Sequence, residues 1–114
     1  MKAFIDTKKQ RSIALYGGSF DPVHGAHLEV AWTALENCDI DAVIFIPTAQ
    51  SPLKKNAAIA SDADRLEMLR LATAEESRFE VDTCELERGG TSYTVDTVKA
   101  YQTAHKECRL HLII

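Results

Sequence analysis

An α/β fold with a parallel sheet is what this chain of 114 residues predicts. Apolar runs of strand length alternate with stretches of helical periodicity, the pattern of strand–helix–strand winding. One run, Ala42-Val43-Ile44-Phe45-Ile46, lacks polar alternation, as expected of a strand covered on both faces. Polar segments at 17–27, 47–55 and 88–94 each come after a strand-like run and so gather at one edge of the sheet, where such folds place their ligands.

The elements follow in order. Residues 1–11 form an N-terminal extension: basic residues are present but no long apolar core, so this is not a secretory signal. A single domain spans residues 12–114. Ile13 to Tyr16 is the first strand. Leu28, Ala31, Trp32 and Leu35 recur at i, i+3, i+4 and i+7 and predict an amphipathic helix over 26–37. Asp39-Ile40-Asp41 turns the chain into the second strand, which Pro47 ends. Residues 48–60 are a polar loop. Ser61 with Asp64 resembles a capping arrangement, and Leu66, Leu69 and Ala72 give the next helix its buried stripe. Phe79 to Asp82 alternates as a short strand, and Glu87-Arg88-Gly89-Gly90 reads as a loop. A helix starting near Thr94 turns Val95 and Val98 inward, and Arg109 to Ile114 is the last strand.

Composition narrows the function classes. A net charge of −4 argues against a nucleic-acid backbone as partner. An anion site must therefore gather charge locally, from Lys54, Lys55, Arg88 and the histidines. No apolar run approaches the roughly 20 residues that span a bilayer, so no membrane partner is expected. Cys38, Cys84 and Cys108 are odd in number and lack a C-x-x-C pair, which fits structural thiols of a reduced, cytoplasmic protein.

The segment Gly17-Gly18-Ser19-Phe20-Asp21-Pro22-Val23-His24-Gly25-Ala26-His27 joins a strand, a glycine turn and a helix N-terminus. Paired glycines admit an anion close to the backbone, and the free N–H groups and dipole of a helix start favour negative charge. His24 and His27 are spaced to share one face of the first turn, as cationic or hydrogen-bond-donating groups over one anion. Two histidines at this spacing also suit a metal with a carboxylate such as Asp21. Asp21-Pro22 alone is a turn signal.

The whole string resembles the signature of the nucleotidylyltransferase superfamily, with Ala26 where the usual histidine pair encloses glycine. Pro47-Thr48-Ala49-Gln50-Ser51-Pro52-Leu53-Lys54 is similar to the loop after the second strand of nicotinate-nucleotide adenylyltransferases. Glu85 to Thr97, with Ser92-Tyr93-Thr94, is similar to a further segment of that family. From Ile13 onward the resemblance covers essentially the whole chain. It implies a Rossmann-like sheet with flanking helices and transfer of AMP from ATP to nicotinate mononucleotide. It implies phosphate contacts for Gly17, Gly18, Ser19 and Phe20, and a catalytic role for His24 and His27 on the ATP phosphates. Lys54 becomes the basic partner in the second loop. Ser92, Tyr93 and Thr94 fall at the nicotinate end, and Mg²⁺ bridges phosphates rather than sitting in a protein cage. Bland readings stand beside these: Lys54 and Lys55 as solvated charges, Thr94 as a helix cap, Tyr93 as core.

In the family, a strand like Leu110–Ile114 runs into a glycine- and aspartate-bearing loop and a further βα unit, which have no counterpart here. The expectation is the first half of such an enzyme, with the C-terminal part of the fold missing and this segment inactive alone. An open flank on the last strand invites pairing with another chain, a homo-oligomer included. Two other readings are a non-catalytic nucleotide-binding module of the same fold and an adenylyltransferase for another acceptor such as phosphopantetheine.

Overall fold

The structure is a computed structural model that describes residues 10–49, 60–89 and 94–114. Its elements are β1 (Ser12–Gly18), α1 (Gly25–Asn37), β2 (Ala42–Pro47), α2 (Asp62–Thr73), β3 (Phe79–Val81), α3 (Cys84–Arg88), α4 (Thr94–Ala104) and β4 (Arg109–Ile113). The four strands form one sheet in the order β3-β2-β1-β4, and every pairing is parallel. Ile13 sits opposite Ala42 on one side and Leu110 on the other.

Alternation along the central strands divides the core. Ala14, Val43 and Phe45 face α1 and α2 with Ala31, Ala34, Leu35 and Leu69. Ile13, Leu15, Ile44 and Ile46 face the other way, toward Tyr101 and Val98 of α4. Both layers exist because β1 and β2 are apolar at consecutive positions, as a strand covered on two faces requires. Phe45 is fully buried, which contributes roughly 1.5–3 kcal/mol relative to exposure.

This winding creates a switch point. The chain passes from β1 to β2 to β3 with α1 and α2 on one face, then returns over the opposite face through α4 to β4, on the far side of β1. Connections therefore leave β1 in opposite directions, opening a crevice at its carboxyl end.

The helix ends follow their sequence signals. Ser61 Oγ accepts the Asp64 N–H at 3.1 Å, the cap expected before α2. Two expectations need correction. Val95 is 56% exposed rather than inward; the buried side of α4 is carried by Thr97 and Tyr101, with Val98 beside them. Glu87 and Arg88, expected in a loop, end the short helix Cys84–Arg88, which is started by Asp82, whose Oδ1 accepts the Cys84 N–H at 2.9 Å. Leu112 on β4 is 45% exposed, so one face of the last strand is open. Trp32 lies at the rim of its helix, edge-on to Phe79 with Arg78 over its ring.

Candidate active site

Gly17 and Gly18 are the last residues of β1, opposite Ile46 and Pro47. The Thr48 N–H donates to the Gly18 carbonyl at 2.9 Å, so the second loop starts tied to the first. A Cβ on Gly17 would meet the Ile46 carbonyl at 3.8 Å, and one on Gly18 the Phe20 ring at 3.5 Å. Both are ordinary contacts, so the fold itself does not demand glycine at either position. What the absent side chains leave open is the space beyond the strand end.

The turn lies one step further on than the sequence suggests. Phe20, not a glycine, takes the left-handed conformation, with φ +48°. Its ring is buried and packs edge-on to Tyr16 and His27, which anchors a backbone shape that a bulky residue otherwise avoids. A cis Asp21–Pro22 peptide follows, and Asp21 Oδ1 accepts the Ala60 N–H at 3.2 Å. Asp21 thus joins the turn to the start of α2.

His24 is the N-cap of α1. Its Nδ1 accepts the Ala26 N–H at 3.2 Å, while His27 Nδ1 accepts the His24 N–H at 3.1 Å. A ring nitrogen that accepts carries no proton, so these bonds assign the neutral tautomer of both rings to Nε2–H. The rings lie 4.0 Å apart, centroid to centroid, with planes tilted by 33°. Burial lowers the pKa of His27, and the neighbouring His24 lowers it further. Of the roles open in the sequence, hydrogen-bond donor, cation or metal ligand, the geometry favours a pair of Nε2–H donors at a helix N-terminus.

A cavity of about 550 Å³ opens on the other side of the glycine pair, within the usual size of a small-molecule site. Gly17, Gly18, Thr48, Glu85, Thr94 and Thr97 line its polar part. Glu85 is buried and its Oε2 accepts the Thr97 hydroxyl at 2.6 Å. Desolvation together with Asp82 pushes the Cys84 thiol up to about 11, so it stays protonated beside this wall.

The candidate residues therefore divide by place. Gly17 and Gly18 touch the cavity, Ser19 is exposed just beyond them, and Phe20 is buried. His24 and His27 meet at the α1 cap, and Thr94 opens α4 on the cavity wall. Lys54, Ser92 and Tyr93 lie outside the described residues. Arg65, Glu85 and Thr97 were missed as site residues. Arg65 had a signal: it stands four residues before Leu69 on the buried stripe of a helix, where a cation needs a partner. Thr97 and Glu85 had none, since their pairing is tertiary.

Among the described residues, one group brings three metal-ligating side chains together: His105, Glu107 and Cys108, within 4.8 Å of one another. It lies where α4 turns into β4, at the opposite end of the sheet from the glycines. The donors at the glycine edge are N–H groups, which suit anions rather than a hard cation.

Comparison with known proteins decides the family, for the cytidylyltransferase-like family matches residues 15–112. This chain belongs to the cytidylyltransferase-like family. Within it, a Neisseria meningitidis protein named "Probable nicotinate-nucleotide adenylyltransferase" is 45% identical over 88% of this chain and 50% of its own length. An Opitutus terrae protein of the same name is 46% identical over 90% of this chain and 52% of its own. The chain spans about half the length of the curated relatives it matches. A solved structure of Plasmodium falciparum nicotinic acid mononucleotide adenylyltransferase complexed with NaAD superposes with a TM-score of 0.77 at 19% identity. It covers 90% of this chain and 51% of that one, and shows that the cytidylyltransferase-like fold is shared.

Proposed function

We propose that this chain supplies the phosphate loop and part of the acceptor pocket of a nicotinate-nucleotide adenylyltransferase, acting in NAD biosynthesis. One observation carries the reading: the glycine pair at the end of β1 stands between a helix cap of two Nε2–H donors and a nucleotide-sized cavity. The names of the relatives at 45–46% identity point to the same reaction.

ATP, arriving with Mg²⁺ on its phosphates, binds with its phosphate chain over Gly17, Gly18, Ser19, Phe20 and the α1 N-terminus. Nicotinate mononucleotide lies across the glycines in the cavity toward Thr94, and Ser92 and Tyr93, just before Thr94 in sequence, are further candidate contacts. A phosphate oxygen of the mononucleotide attacks the α-phosphorus of ATP, the bond from that phosphorus to the bridging oxygen breaks, and pyrophosphate leaves. The new phosphoanhydride is deamido-NAD. No side chain forms a covalent intermediate. His24 and His27 donate from Nε2 to phosphate oxygens as charge shifts onto the leaving pyrophosphate, with Lys54 adding a charge from the second loop. Preorganised donors of this kind lower the barrier without reorganising during the reaction. The three cysteines, free in the structure, suit a reducing cytoplasm.

A pyrophosphate-release assay across acceptors tests this on a protein carrying the chain. Turnover with nicotinate mononucleotide and ATP supports it. Turnover with phosphopantetheine and none with nicotinate mononucleotide overturns the acceptor assignment.

A further inference from the structure

Arg65 is the largest fully buried side chain of the described residues, 1% exposed. Burying a guanidinium is costly unless its donors are used. Here one Nη donates to the Ser19 carbonyl at 2.6 Å, and the other is paired with Asp62 one helical turn earlier. Its Nε finds no hydrogen-bond acceptor among the described residues. Beside the half-exposed Asp62 carboxylate, the acceptor of this buried cation is therefore a main-chain oxygen of the phosphate loop.

We infer that Arg65 is a positioning residue for anion binding, which sets the direction of the Ser19–Phe20 peptide so that the Phe20 N–H faces the phosphate. This rests on the proposed phosphate site. A trans peptide is planar, and its N–H points opposite to its C=O. Drawing the Ser19 carbonyl inward to a buried guanidinium turns the Phe20 N–H outward. The left-handed Phe20 is the kind of residue that builds backbone concavities for anions. The Asp21 carboxylate, accepting the Ala60 N–H, holds the other end of the turn to the start of α2. Two tethers from one helix start thus fix the turn on both sides of Phe20. A lysine at position 65 keeps the charge but loses the planar fork that bonds Ser19 and Asp62 together.

The test is a pyrophosphate titration of the 114-residue chain followed by amide NMR, on the wild type and Arg65→Lys. In the wild type, the amides of Gly18, Phe20 and His24 shift on one binding curve, and the Arg65 Nη–H signals shift with them. Arg65→Lys moves the Phe20 amide in the free protein and weakens pyrophosphate binding by about tenfold, the effect of one hydrogen bond to a charged group. Equal affinity and an unmoved Phe20 amide in a folded Arg65→Lys overturn the role of Arg65 and leave the phosphate site standing. If the variant does not fold, the wild-type data decide: a Phe20 amide and Arg65 signals that stay fixed while Gly18 and His24 respond overturn the role. A wild type in which none of these amides responds overturns the phosphate site itself, and the role of Arg65 with it.

Discussion

Thr97 donates its hydroxyl to the buried carboxylate of Glu85 over 2.6 Å, joining α3 to α4 beneath the cavity. A parallel bond lies nearby: the Tyr101 hydroxyl is held by Asp82 at the end of β3, and burial together with that carboxylate raises the tyrosine pKa. Helix α4, which presents Thr94 to the cavity, is thus set by two acids that precede it in the chain.

Thr97→Val is expected to destabilise the protein by about 1–3 kcal/mol, because it leaves a buried acceptor unsatisfied while keeping the shape. Thr97→Ser should recover most of that loss. Denaturant unfolding midpoints at unchanged slope check both, and equal stability of all three proteins contradicts a role for the bond.

The histidine pair combines capping with donation. Removing the cap acceptor in His24→Ala should cost about 1 kcal/mol of stability. In a protein carrying this chain and competent for turnover, the same change should lower kcat by about 10²–10³, the cost of a preorganised donor. His24→Asn restores an N-cap without an imidazole, so it should regain stability and not rate. Nitrogen NMR of the free protein should show protonated Nε2 and bare Nδ1 on both rings.

Stability should also follow the charge state of His27. Its pKa is lowered in the folded protein, first by burial and then by His24, so the folded state binds fewer protons than the unfolded chain around the normal histidine value of 6.5. The contribution is therefore complete above that value and is lost as pH falls through the folded pKa. His27→Gln should flatten the fall in melting temperature on acidification below pH 6.5, relative to the wild type. A profile unchanged by the substitution rules out this linkage.

Val95→Lys should change stability by no more than about 0.5 kcal/mol, since the side chain is on the outer side of α4. An inward Val95, as helical periodicity alone suggested, would make that substitution severe. The contrast tests which face α4 presents.

The difference between these residues shows what was legible in the sequence. The strands were, because unbroken apolar runs such as Ala42–Ile46 admit few other environments. The glycine and histidine motif was too, since its residues lie within one short segment. Val95 was misread because α4 is held by Thr97 and Tyr101 bonding to acids, and a search for apolar periodicity ranks a valine above both. The helix at 84–88 escaped notice because its start depends on one Asp82–Cys84 bond rather than on a periodic stripe. The left-handed Phe20 gave no sign in the sequence, because burial of its ring is a tertiary effect that offsets the cost of that conformation.

The position of β1 between β2 and β4 also sets an order of assembly. Ser12 pairs with Arg109, almost the whole chain away, and its other neighbour pairs through a full βαβ crossover. The β1–β4 pairing closes the longest loop of the three strand pairings, which slows the completion of the sheet. On the ribosome, the strand that carries the glycines emerges before the other three yet gains its second neighbour only after residues 109–113 have been made. The anion loop is thus made well before β4, the strand that completes its support, and is among the last to acquire its final shape.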